Sequence, residues 1–201
     1  PHALDLRVVV YKGKKDRPKI FGCLARAALD EKTIAKNTSL GGIPIGIPVI
    51  NEIEEITYRA MKSIVEYCGR IYRTKVDYYL VGLDIIPKNE SFNERVKVYE
   101  SVKKVYPLYQ KINQAKRERN MDEIDERFQE LKGSSLYKEL QTTCLEYLKT
   151  SKFTVTEINT TPDYAINTRN LVGDVTEAYV DLSLIHISEP TRPLYISYAV
   201  F

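Results

Sequence analysis

An apolar residue at every second position opens the chain. Across residues 4–14, LDLRVVVYKGK, the apolar Leu6, Val8 and Val10 alternate with Arg7 and Val9 before Gly13. Side chains point to opposite faces at every second residue of a strand, so this pattern predicts a strand and then a turn. KIFGCLARAAL, residues 19–29, continues as a second strand. The next segment, DEKTIAKNTSLGGIPIGIP, carries Asn37, Gly41, Gly42, Gly46 and two prolines, which predicts a turn-rich loop over 30–48. The period then changes. In residues 49–73, Ile53, Ile56, Ala60, Ile64 and Tyr67 recur at helical spacing, with Gly69 as the expected stop. VDYYLVGLDIIPK is a nearly continuous apolar run and predicts a buried strand closed at Pro87. Residues 88–151 are charged and tyrosine-rich and predict two or three helices, broken at Pro107 and Asn120. FTVTEIN reads as another strand, and a last helix is expected after Gly173.

Strands in succession, then helices, then a strand give an α+β class with a mainly antiparallel sheet packed on helices. Residues 182–201 are set apart from that fold. LSLIHISEPTR, residues 182–192, reads as the translation of a transposase-type sequencing adapter, and ISYAVF, residues 196–201, as that of a flow-cell adapter in the correct order behind it. This tail is excluded from fold reasoning like any fusion scar. With a first residue of Pro1 rather than Met, the expectation is a chain cut at both ends.

Composition narrows the chemistry. A formal net charge of +3 is too small to argue for nucleic acid. Cys23, Cys68 and Cys144 are widely spaced with no C-x-x-C, which suits a reducing, cytoplasmic compartment and no zinc. One of the two histidines lies in the adapter tail and the other is His2, which leaves little room for histidine catalysis. No apolar run approaches the roughly 20 residues of a membrane span, so no membrane partner is expected.

What remains is buried acidity. Asp84 stands among Leu80, Val81, Leu83, Ile85 and Ile86, and a buried carboxylate must be protonated, paired or metal-bound. Glu157 and Asn159, two apart at a strand end, share a face, which strict alternation also gives to Phe153 and Val155. Three oxygen ligands on neighbouring strands suit Mg²⁺, which takes one or two protein carboxylates and completes its shell with water and phosphate. The competing readings are a solvated turn for Glu157 and Asn159, and a loop cap or a pair with Arg7 for Asp84.

Taken together, CLARAALDEKTIAKNTSLGG, YYLVGLDII and TEINTTPDYAIN, with the DLR of the first strand, resemble the C-terminal catalytic half of an ATP-grasp ligase. The likeness is to the bacterial glutathione synthetase and ribosomal-protein glutamate ligase branch and covers roughly residues 5–86 and 152–181. It implies an ATP-grasp catalytic subdomain over 1–87 and 152–181, truncated at its N-terminus, with 88–151 as a helical insertion. It further implies that Asp84, Glu157 and Asn159 are magnesium ligands, for two ions, and that Arg7 and Arg26 approach the phosphates or an acyl phosphate. Lys36, Asn37, Gly41 and Gly42 would lie near ATP and substrate. The plainer alternatives are a sheet-edge surface position for Arg7 and a salt bridge to Asp30 or Glu31 for Arg26.

The implied reaction is ATP-dependent carboxylate–amine ligation through an acyl phosphate, with ADP released and magnesium required. The alternatives are a related kinase acting on a small molecule, and a noncatalytic binding module on a degenerate core. The chain by itself is expected not to turn over ATP, because the first nucleotide-binding lobe would lie upstream. Ala35 stands where the glutathione synthetases carry a substrate-facing Arg, and Asp163 replaces the glycine of the glutamate-ligase loop. Both departures fall where the acceptor would sit and leave its identity open. The insertion reads as an accessory lid or partner-docking hairpin, and its KRER cluster, residues 116–119, as a solvated helix face. A homo-oligomer is compatible with all of this.

Overall fold

The structure is a computed structural model that describes residues 3–12, 17–29, 42–73, 79–159 and 170–171. Five strands and four helices run in the order β1 (Leu4–Lys12), β2 (Lys19–Ala27), β3 (Ile43–Ile47), α1 (Asn51–Tyr72), β4 (Tyr79–Lys88), α2 (Phe92–Arg117), α3 (Met121–Gly133), α4 (Ser135–Lys149) and β5 (Lys152–Asn159). The class is α+β. The strands form one antiparallel sheet in the order β3-β2-β1-β4-β5. Lys36, Asn37, Gly41, the helix expected after Gly173 and the adapter tail lie outside the described residues.

Alternation in β1 divides the sheet into two faces. Leu4, Leu6, Val8 and Val10 are fully buried on one of them, with Cys23, Ala25 and Ala27 of β2 and Val81, Leu83 and Ile85 of β4. That face shares a single hydrophobic core with α1 and α2–α4, through Ile53 and Met61, then Val98, Val102, Tyr109, Phe128, Leu140 and Tyr147. The opposite face carries Asp5 and Arg7, and a small cluster of Val9, Tyr11 and Leu80 with Phe21 against it. Residues 88–151, expected as an accessory lid or docking hairpin, supply together with α1 the layer that covers the sheet, because the core face of five strands needs an apolar partner.

Three expected boundaries are overturned. The loop over 30–48 contains β3, whose Pro44 and Gly46 hide a strand of IPIGI; β3 ends the sheet order, where a strand tolerates proline. Helix α4 finishes that edge: the Gly46 amide donates to the Tyr137 hydroxyl (2.9 Å), and Gln141 Nε2 donates to the Gly46 carbonyl. A Cβ at Gly46 would collide with the Leu171 carbonyl, so glycine is required by close approach. Helix α1 runs past Gly69 to Tyr72 and ends on Arg73, which takes the left-handed conformation at φ 51°. One interior glycine costs about 1 kcal/mol, too little to stop a helix that continues its apolar spacing through Ile71. Helix α2 likewise runs through Pro107, since Val98, Val102 and Val105 before it and Tyr109 and Ile112 after it enter the same core. The break at Asn120 is observed: Asn120 caps α3 by accepting from the Glu123 amide at 3.3 Å.

Among the described residues no helix is long and apolar enough to cross a membrane. Cys23, Cys68 and Cys144 are free, and burial pushes the Cys144 thiol up to about 12 and the Cys23 thiol higher still.

The basic cluster ending α2 is not uniformly solvated. The Lys116 ammonium lies 5.3 Å from the Tyr109 ring centroid and 5.4 Å from that of Phe128. Burial lowers its pKa to about 8 from 10.5. Folding thus favours the neutral amine. Between pH 8 and 10.5 the unfolded chain binds more protons, so this group's contribution to stability rises with pH across that window and is flat below it. Lys116→Met is expected to be more stable than wild type at pH 7, with the gap closing by pH 10. Urea denaturation at pH 7, 9 and 10 checks this, and a gap independent of pH would contradict it.

Candidate functional site

The register of β1 against β4 places Arg7 directly opposite Asp84, and that of β1 against β2 places Asp5 opposite Arg26. All four side chains share the face away from the main core. Arg7 grips Asp84 with both arms of its fork: Nε donates to Oδ1 at 2.8 Å and Nη2 to Oδ2 at 2.7 Å. Arg26 Nη2 lies 3.2 Å from the same Oδ2, and its Nε donates to Asp5 Oδ1 at 2.6 Å. Planar, bidentate pairing is what arginine does with carboxylates, and partial burial strengthens it. The side chains of Asp84 and Arg26 are only 9% and 10% exposed.

Glu157 and Asn159 reach this face by a device that simple alternation misses. The β4–β5 register runs Gly82↔Asn159, Leu83↔Ile158, Asp84↔Glu157, then shifts so that Ile85 faces Val155. Thr156 is the extra residue of a β-bulge, and its hydroxyl donates to the Asp84 carbonyl at 3.1 Å. The bulge reverses parity along the strand. Phe153 and Val155 turn toward the helices and pack on the main core, while Glu157 and Asn159 turn to the polar face. The expectation that these four residues share one side is therefore corrected. With its amide oriented to satisfy both ends, Asn159 donates to Glu157 Oε1 (3.0 Å) and accepts from Arg7 Nη2 (3.0 Å).

Five of the residues singled out from the sequence thus meet in one cluster: Arg7, Arg26, Asp84, Glu157 and Asn159. Gly42 is buried just ahead of β3, the strand that flanks β2. One plainer reading falls away, since β1 is the central strand and Arg7 is no sheet-edge surface residue. Asp30 and Glu31, the other partners considered for Arg26, lie outside the described residues, and the described partners of Arg26 are Asp5 and Asp84. A sixth member, Asp5, was not singled out. Its signal was present in DLR, where opposite charges two apart on a strand must share a face.

Formally, three carboxylates oppose two guanidinium groups, leaving one negative charge in excess. Asp84 and Glu157 with the Asn159 amide oxygen are hard oxygen donors of the kind Mg²⁺ takes. Among the described residues no group of three or more His, Cys, Asp or Glu side chains is placed to hold a metal, so any cation here relies on the amide and on non-protein ligands. The donor types fit magnesium, and the guanidinium groups fit phosphate oxygens. Comparison with protein-family models, with curated proteins and with solved structures gives no match.

Removing the shared carboxylate exposes the energetics of the cluster. Asp84→Asn removes the carboxylate that Arg7 and Arg26 share while Arg26 keeps Asp5, so the expected cost is that of the charge-assisted hydrogen bonds lost, about 1.5–3 kcal/mol. Chemical denaturation is expected to read a loss of that size. A loss below about 1 kcal/mol, the scale of a surface pair, would mean that the network is solvated rather than buried.

Proposed function

We propose that this chain carries the catalytic half of an ATP-dependent carboxylate–amine ligase of the ATP-grasp type, working through an acyl phosphate. The observation that carries the reading is the convergence of Arg7, Arg26, Asp84, Glu157 and Asn159, drawn from four strands, on one sheet face. Asp84, Glu157 and Asn159 would hold magnesium. Bound there, magnesium supplies charge neutralisation on the nucleotide phosphates. Arg7 and Arg26 present planar donors to the transferred phosphoryl group and to the acyl phosphate that follows. Phosphoryl transfer needs positioning and electrostatics more than a proton shuttle, so a cluster without histidine suits it. Lys36, Asn37, Gly41 and Gly42 are proposed on the ATP and substrate side, and the cytoplasm as the compartment.

A second reading has its own observation. Both oxygens of Asp84 are already engaged by guanidinium groups, as in an ion-pair network that only holds three strands in register. On that reading the fold is a noncatalytic module.

Glu157 separates the two, because it is exposed and takes no part in the Arg7–Asp84–Arg26 pairing. Glu157→Gln is expected to weaken Mg²⁺–ATP binding by roughly tenfold or more while leaving the denaturation midpoint unchanged. Titration calorimetry on the protein completed with its nucleotide-binding lobe reads the affinity, and an unchanged value would sink the metal assignment. In that completed protein, phosphate released only when an amine is present identifies a ligase rather than a small-molecule kinase.

A further inference from the structure

We infer that Arg7 is a displaceable internal counter-ion of Asp84, so that the cluster admits a divalent cation only together with a phosphate group that draws Arg7 away. The inference rests on the metal–phosphate reading of the site and adds to it a coupling between the two ligands.

The argument begins with occupancy of the carboxylate. Arg7 covers both Asp84 oxygens at 2.7 and 2.8 Å, whereas Arg26 touches Oδ2 alone, at 3.2 Å. A cation therefore reaches Oδ1 only when Arg7 lets go. The same Arg7 Nη2 also donates to the Asn159 amide oxygen at 3.0 Å, so it sits on two of the three donors at once. Arg26 is held differently, by Asp5 at 2.6 Å in a directly cross-strand pair, and it remains beside Asp84 when Arg7 leaves. Arg7 is also the more exposed of the two, 18% against 10%.

Burial couples the exchange in both directions. With Arg7 away, a carboxylate that is 9% exposed keeps Arg26 alone on one oxygen, so the open state is a minor one that an arriving cation stabilises. A displaced guanidinium in turn needs an anion, and phosphate oxygens are its preferred bidentate partner. A cation–phosphate complex delivers both partners in one binding event, and either ion alone delivers one. By linkage, each ligand then raises the affinity of the other. If the pair is closed in about nine molecules of ten, the apparent Kd for free cation rises about tenfold.

The test uses Mn²⁺ as a paramagnetic substitute for Mg²⁺ and follows unbound Mn²⁺ by electron paramagnetic resonance. The full chain is compared as wild type, Arg7→Gln and Arg7→Lys. The lysine variant keeps the charge but loses the fork that holds both oxygens. Both variants are expected to bind free Mn²⁺ about tenfold more tightly than wild type, as the competent-fraction relation requires. With inorganic triphosphate present the order reverses and wild type binds best. Equal free-Mn²⁺ affinities in all three would overturn the exchange and leave the metal site standing. Tighter binding by Arg7→Gln but not by Arg7→Lys would also overturn it, since through-space charge then explains the gain. Absence of Mn²⁺ binding in all three, with and without triphosphate, would remove the metal reading itself. Should Arg7→Gln fail to fold, the lysine variant decides alone.

Discussion

A carboxylate placed near the middle of a five-stranded sheet has to be neutralised, and how Asp84 is neutralised sets much of the rest of this structure. Its partner Arg7 comes from β1, directly across the ladder, and Arg26 comes from β2, one strand further. A one-residue slip of β1 against β4 would send Arg7 into the apolar core and Leu6 or Val8 toward Asp84. Because the side-chain period is two, such a slip is penalised on both faces at once. The ion pairs and the core thus specify the same register, one from each side of the sheet. Buried ionic groups are weak contributors to net stability but good at excluding alternatives, and registry is the best-attested of their uses.

The bulge at Thr156 is the second constraint. β5 begins as a strand that must pack on the helices, with Phe153 and Val155 inward, and ends as one that must present Glu157 and Asn159 to the polar face. Regular alternation cannot do both without an odd residue, and Thr156 is that residue. Its hydroxyl bond to the Asp84 carbonyl pins the irregularity beside the carboxylate whose surroundings it completes. The three helices between β4 and β5 lengthen the connection, but the entropy cost of closing a loop grows only logarithmically with its length. They return apolar cover for the opposite face through residues such as Val102, Tyr109, Phe128 and Tyr147.

Much of this was legible in the chain. Leu4, Leu6, Val8 and Val10 recur at every second position, and the Leu80–Ile86 run closed by Pro87 reads as a buried strand, so β1 and β4 followed from pattern. Asn120 announced the start of α3 because its side chain competes for backbone amides outside a helix. The failures are local rules overruled by tertiary packing. Pro44 and Gly46 read as loop, yet strand β3 is completed by Tyr137 and Gln141, more than ninety residues away. Pro107 and Gly69 read as stops, yet helices continue through both wherever their flanks enter one core. Within the site, Asp84 was conspicuous as a charge in an apolar run, and Glu157 with Asn159 as polarity at a strand end. Their relation to Phe153 and Val155 was invisible, since a bulge depends on the partner strand. Asp5 was overlooked because a charge beside an arginine on a strand looks ordinary until the register supplies Arg26.

Whether the cluster is a cation–phosphate site or only a buried brace is decided most directly by diffraction. Crystals grown with Mn²⁺ and a nonhydrolysable ATP analogue, measured at the manganese edge, would locate the ion. The account predicts an anomalous peak in contact with Asp84, Glu157 and the Asn159 oxygen, with Arg7 turned from Asp84 to a phosphate. An unbroken Arg7–Asp84 pair with no peak beside it would contradict the account.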